Sequence, residues 1–243
     1  MSAASNSGHM PRAVAQDGFQ DQSAVLLRRF PLWMKVAFWV CIVIAVAAVL
    51  RRAVALLVAP GSGAPPQLAQ LDAFFAQHAL LTWTHILCAL VFVSILPFVF
   101  WSRTRNSKLL QRCFFILGFV VGATAYAMSV HAVGGWLERS AVLFFNTLFI
   151  ASLARAYVFS RRGDNMQKQR WSLRAVAILL GIATTRPVMG IFFATTPLTH
   201  LTPQQFFGIA FWIGFSINTI AIELWLRHAR RRPKAPSEAP SEA

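Results

Sequence analysis

The sequence predicts an all-α fold: a six-helix transmembrane bundle with both termini on the cytoplasmic side and a short amphipathic helix on the outer surface. Three observations predict it. The 243 residues are 56% hydrophobic and only 13% charged, a composition suited to lipid rather than water. Six apolar runs approach or exceed the about 20 residues that a bilayer-spanning helix needs. Lysine and arginine collect in alternate loops between those runs, which orients the chain in the membrane.

The elements follow in order. Residues 1–30 are polar, rich in Ser, Ala and Gln, and read as disordered. They lack the apolar core of a cleavable signal peptide, so the first span is expected to act as an uncleaved anchor. That span runs from Leu32 to about Val58, with Trp33 at the inner interface. Arg51 and Arg52 interrupt it. They either tip into the outer headgroups or end the helix. "APGSGAPP" (59–66) is a turn and linker. In "QLAQLDAFFAQHALL" the apolar residues Leu68, Leu71, Phe74 and Phe75 recur at helical spacing, so this stretch is the amphipathic surface helix. The remaining spans are Leu80 to Trp101, Phe114 to Val133, Ala141 to Phe159, Leu173 to Ala194 and Phe206 to Leu226. Together residues 31–228 make one transmembrane domain. Residues 229–243 form a basic and Pro/Ser/Glu-rich tail, "APSEAPSEA" at its end, without core-forming residues.

Net charge is +15, which in a soluble protein would point to nucleic acid. Its placement points elsewhere, and no nucleic-acid partner is expected. Arg103 and Arg105 lie between spans two and three, Arg161 and Arg162 between spans four and five, and Arg231 follows span six. The intervening loops hold Arg139 alone. The basic loops therefore set topology and touch anionic lipid, consistent with a bacterial cytoplasmic (inner) membrane. Cys41, Cys88 and Cys113 show no CxxC spacing and read as small buried apolar residues. Gly118 and Gly122, at GxxxG spacing, read as helix packing.

Polar residues inside the spans carry the functional information. By a rise of 1.5 Å per residue, His85 lies roughly 8 Å, Asn146 about 9 Å and Arg186 roughly 12 Å from the outer edge, with His131 close to that edge. Arg186 is the hardest to dismiss. A central arginine costs about +2.5 to +3.5 kcal/mol on insertion scales. Side chains lean toward a helix's N-terminus, which in this span is inward and away from the nearer surface. Arg186 is thus expected to face the bundle. Glu138 reads as an outer-loop residue, so no acidic partner stands at that depth. Pro187 adds a freed carbonyl at Ala183. Arg186, His85, Asn146, His131 and Thr185 make up the candidate polar cavity. At the inner side, Glu223 is placed to pair with Arg227 four residues on.

"HALLTWTHILCALVFVSILPFVFWSRTR", "LLQRCFFILG", "QRWSLRAVAILLGIATTRP" and the "GG" of "HAVGGWLERS" resemble the uncharacterised bacterial membrane proteins grouped as DUF2306, over about residues 78–230. The resemblance implies a histidine at His85, an Arg-Trp then Arg at Arg170, Trp171 and Arg174, and an arginine at Arg186. It also implies two departures: Gln111 and Lys168 stand where the family tends to carry histidine. No activity comes with the resemblance.

The residues leave three readings. The first is a binding or transport protein whose outer-half cavity holds an anionic or polar small molecule or a lipid headgroup. The second is an electron-transfer protein with haem b, His85 and His131 being the candidate ligands. The third is a non-catalytic structural or regulatory subunit. No GxSxG, HExxH, P-loop or paired-carboxylate signature is present, so an enzyme is the weaker expectation.

Overall fold

The structure, a computed structural model, describes residues 30–57, 76–100 and 107–231. Most of the N-terminal segment, the linker with its expected amphipathic helix, Arg103, Arg105 and the tail after 231 lie outside the described residues. The described chain forms six helices: α1 (Leu32–Leu57), α2 (Ala79–Phe100), α3 (Lys108–Ser129), α4 (Gly135–Arg161), α5 (Asn165–Thr199) and α6 (Pro203–Arg231). Each is long and apolar enough to cross a membrane. The six-helix expectation therefore holds.

Helices α3 to α6 start ahead of their apolar runs, while α3 ends at Ser129, short of the expected Val133; at the starts of α3 and α5 polar caps rather than hydropathy set the end. The Ser107 hydroxyl accepts from the Leu110 amide at 3.4 Å and starts α3. The Asp164 carboxylate accepts from the Gln167 amide at 2.9 Å and starts α5. Such caps satisfy amides that the first turn leaves without partners. Between α4 and α5, Gly163 takes φ +75, which only glycine adopts without strain. Lys168 and Arg170, which precede the apolar run, sit on α5 itself. That helix has 35 residues and continues through Pro187 and Pro197. At 1.5 Å per residue it is about 52 Å long, well over the ~30 Å hydrocarbon core. His200 ends it in a left-handed conformation, φ 53, its amide donating to the Thr196 carbonyl at 2.8 Å. Helix α1 likewise runs on through Arg51 and Arg52.

Packing closes a ring. Helices α1, α2, α3, α4 and α5 each touch the next, and α5 touches α1, while α6 lies along α4 and α5. Aromatic side chains fill the middle: Phe92 stacks on Phe114 at 5.3 Å and meets Phe149 edge-on at 6.3 Å. Small residues set the close crossings. A Cβ at Gly122 would lie 2.2 Å from Ile150 Cδ1, and one at Gly118 would lie 2.7 Å from Leu153 Cδ2. The GxxxG pair thus seats α3 on α4, as expected of it. Where the protein meets lipid its surface is apolar: only Ile42 and Ala45 of α1 are buried, and Val43, Val54, Leu80 and Ile116 are among the exposed residues. Successive helices reverse direction, so the starts of α1, α3 and α5 share one end, here the basic end. The α3–α4 and α5–α6 turns share the opposite end.

Candidate functional site

Arg186 lies on α5 in register with Val176, Leu179 and Ala183, three residues that belong to the core packed inside the ring. Spacings of three and four put all of them on one helical face. Two helical turns beyond Leu179, at the end of the ring we term its mouth, Arg186 is exposed. Its guanidinium extends toward the C-terminal end of α5, where Nη1 approaches Met189 Sδ at 4.0 Å. The direction is opposite to the sequence expectation. Thioether sulfur is a weak acceptor. Among the described residues it is the one hydrogen-bond acceptor that the five guanidinium N–H groups reach.

Glu138 is a neighbouring charge. It sits in the first turn of α4, not in a loop, and is buried. Its Oε2 accepts from the Gly134 amide at 2.6 Å, and it is near enough for its charge to act on Arg186. Arg51 of α1 acts on Arg186 as well, with opposite sign. Glu138 is held where it is by backbone contact. A Cβ at Gly208 of α6 would lie 2.7 Å from the Glu138 amide, and one at Gly134 would lie 2.9 Å from the Gly208 amide. The two glycines let the starts of α4 and α6 touch directly. Glu138 was the acidic partner missing from the sequence reading. A signal was available: an acidic residue just after "GG", in the first-turn position that helices favour for acids, and in register with Ala141 and Phe145.

His85 and His131 are not brought together. His85 Nδ1 shares a hydrogen with Thr124 Oγ1 at 2.8 Å, joining α2 to α3. Thr124 also donates to its own helix at Val120 O, 2.8 Å. His131, just past α3, instead packs on His78, ring centroids 3.8 Å apart. Seven residues separate Thr124 from His131, about 10 Å along α3. Axial haem ligation requires two imidazoles aimed at one iron, and these two are not so aimed. His78 escaped the sequence reading, although it precedes His85 by two helical turns on one face.

Asn146 Nδ2 donates to the Gly122 carbonyl at 2.9 Å, buried between α4 and α3. Thr185 is fully buried, with its hydroxyl on the Ile182 carbonyl at 2.6 Å, and its methyl would lie 2.6 Å from a Cβ at Gly214. Its neighbour Thr184 is the interhelical link: it donates to Asn218 Oδ1 at 2.8 Å and meets Cys41 Sγ at 3.8 Å. Asn218 Nδ2 in turn donates to the Ala177 carbonyl at 3.3 Å. These contacts tie α1, α5 and α6 at Thr184, two residues before Arg186.

At the basic end, Arg161 and Arg162 are exposed at the close of α4, and Arg231 closes α6. Glu223 pairs with Arg174 of α5 through both carboxylate oxygens. The expected intrahelical pair with Arg227 gives way to this one because α5 and α6 pack closely along their length. Gln111 and Lys168, the two positions of departure, meet: Lys168 Nζ donates to Gln111 Oε1 at 3.4 Å. No group of three or more His, Cys, Asp or Glu able to hold a metal ion occurs among the described residues.

Neither a curated protein nor a solved structure matches this chain. A family model does, over residues 82–226, more than half of the chain and a span holding most of α2 and the whole of α3, α4 and α5. With six apolar spans, and with His85, Trp171 and Arg186 inside the matched stretch, the chain belongs to the family of predicted membrane proteins DUF2306.

Proposed function

We propose that this membrane protein binds an anionic or polar group, from a small molecule or a lipid headgroup, at the ring mouth around Arg186, as a binding or transport protein. One observation carries the reading. A permanently charged guanidinium in the middle of a membrane helix has, among the described residues, a single weak acceptor, where an arginine needs several oxygen partners to offset its lost hydration. Glu138 supplies opposite charge at longer range and keeps the mouth from being purely cationic, which favours a monoanion or a polar group over a multiply charged anion. The ligand would use the fork of the guanidinium, a geometry suited to carboxylate or phosphate. His85 and Asn146 then act as the helix ties that shape the ring wall. The alternation of basic loops supports a bacterial inner-membrane location with both termini cytoplasmic and the mouth facing outward.

The test uses the full chain in phosphatidylcholine nanodiscs, with acetate and inorganic phosphate as probes and with phosphatidylglycerol discs as the headgroup arm. Wild-type protein is expected to melt higher with at least one of these. A ligand at 100 times its Kd adds about 2.7 kcal/mol. Arg186→Leu is expected to fold, with its unliganded melting temperature kept, and to lose the gain. Equal protection of Arg186→Leu, or no protection of the wild type by any of the three, refutes the reading.

A further inference from the structure

A second arginine inside an apolar run has no role in that site. Arg155 lies on α4 in "FIASLARAYVFS", at the other end of the bundle. It stands six residues before the end of α4, about 9 Å into the span, and it is exposed. Its guanidinium carbon lies 4.7 Å from the centre of the Trp171 ring on α5. That indole carries a second cation, Arg174, at 4.4 Å. The two differ in one respect. Arg174 is neutralised by Glu223, whereas among the described residues Arg155 has neither an ion pair nor a hydrogen-bond acceptor.

An aromatic face holds a guanidinium flat and leaves its N–H edge pointing away from the ring. Here the edge is left at the seam between α4 and α5, on the surface of the bundle. Arg161 and Arg162 close the same helix and Arg170 lies beside Trp171, so the local field is positive. Trp171 sits six residues into α5, level with Arg155, as an interfacial tryptophan does. A rigid cation, stacked, edge outward and surrounded by positive charge at headgroup depth, has the chemistry to take a phosphate anion.

We propose that Arg155, held flat by Trp171, is a phosphate-binding site at the basic end, and that the phosphate it takes is the headgroup of an anionic membrane lipid. Arg155 forms the charged hydrogen bonds, Trp171 fixes their plane, and Glu223 keeps Arg174 from competing for the same phosphate. The site is separate from the ring mouth and stands whether or not Arg186 binds a ligand.

The experiment places the full chain in nanodiscs of phosphatidylcholine with a minor share of phosphatidylglycerol and counts the phosphatidylglycerol retained on the released protein by native mass spectrometry. Wild-type protein is expected to retain it in preference to phosphatidylcholine. Arg155→Gln is expected to lose about tenfold in that preference, the scale of one charge-assisted hydrogen-bond pair. Arg155→Lys, which keeps the charge but not the planar fork, is expected to fall between them. Arg161→Gln, which removes one charge from the surrounding field but leaves the stacked guanidinium in place, is expected to lose clearly less than Arg155→Gln. Phosphatidylcholine discs titrated with inorganic phosphate identify the source. Read in an Arg186→Leu background so that the ring mouth is silent, melting raised by phosphate and lost on adding Arg155→Gln, without phosphatidylglycerol retention, would keep the anion site and overturn the lipid as its occupant. Unchanged retention in Arg155→Gln overturns the proposal. So does an equal loss in Arg161→Gln, since that reports diffuse charge. Because Arg155 is exposed, its variants are expected to melt with the wild type in phosphatidylcholine alone.

Discussion

The contact between the starts of α4 and α6 gives a measurable consequence. Gly208→Ala adds one methyl where the nearest atoms are the Glu138 amide nitrogen and the Leu137 side chain, all at 2.7 Å. Real Cβ atoms do not come so close. The nearest polar atom is backbone, so relief requires the two helix starts to separate. Overpacking of this kind costs about 1–3 kcal/mol. Alanine also gains about 0.8–1 kcal/mol over glycine in a helix, so the net effect lies between neutral and about 2 kcal/mol destabilising. Gly190→Ala, on α5, is the internal reference. Nothing lies within 4 Å of a Cβ there, so only the helix gain remains, about 1 kcal/mol stabilising. The two alanine variants should differ by about 1–3 kcal/mol. For a chain of this size each kcal/mol moves Tm by roughly 2–4 °C, a gap of several degrees. Thermal unfolding of both variants in one detergent, at one scan rate, reads it. If Gly208→Ala melts as high as Gly190→Ala, the direct contact of α4 with α6 is wrong, and with it the reason Glu138 faces the ring mouth.

Two further outcomes are expected. Glu223→Gln should destabilise by about 1–3 kcal/mol, because Arg174 loses a charged acceptor, while Arg227→Gln should stay within about 0.5 kcal/mol as an exposed surface change; the reverse order in thermal unfolding would restore the intrahelical pair. A reporter fused after residue 243 should be active only if its chemistry works in the cytoplasm, and activity of a periplasm-dependent reporter instead would invert the topology drawn from the basic loops.

The ring mouth shows why single residues were easier to read than their partners. Arg186 stood out because charge in an apolar run is costly wherever the helix packs. Glu138 did not, because a residue at the edge of a span can be loop or helix, and only the Gly134–Gly208 approach decides which. The same limit applies to Glu223. Its sequence spacing to Arg227 suggested one partner, and the packing of α5 on α6 supplied another, Arg174. His131 was visible as an outer-edge histidine, but its stacking on His78 depends on how α2 and α3 lie together. Helix ends were missed where caps, not hydropathy, set them: α5 starts at Asn165 under the Asp164 cap, eight residues before its apolar run.

By itself the sequence determined the number of spans, the likeness to DUF2306, the GxxxG packing of α3 and the presence of an anomalous charge in "ATTRPVMG". Those follow from local hydropathy and from costs that do not depend on neighbours. The tertiary structure decided what each polar group faces. It closed α1 to α5 into a ring, turned Arg186 to its mouth near Glu138, spent Asn146 and Thr185 on packing, and laid Arg155 over Trp171. A hydrogen bond, an ion pair or a stack is a relation between two helices. Its partner is chosen by the crossing of those helices, which no stretch of either one encodes alone.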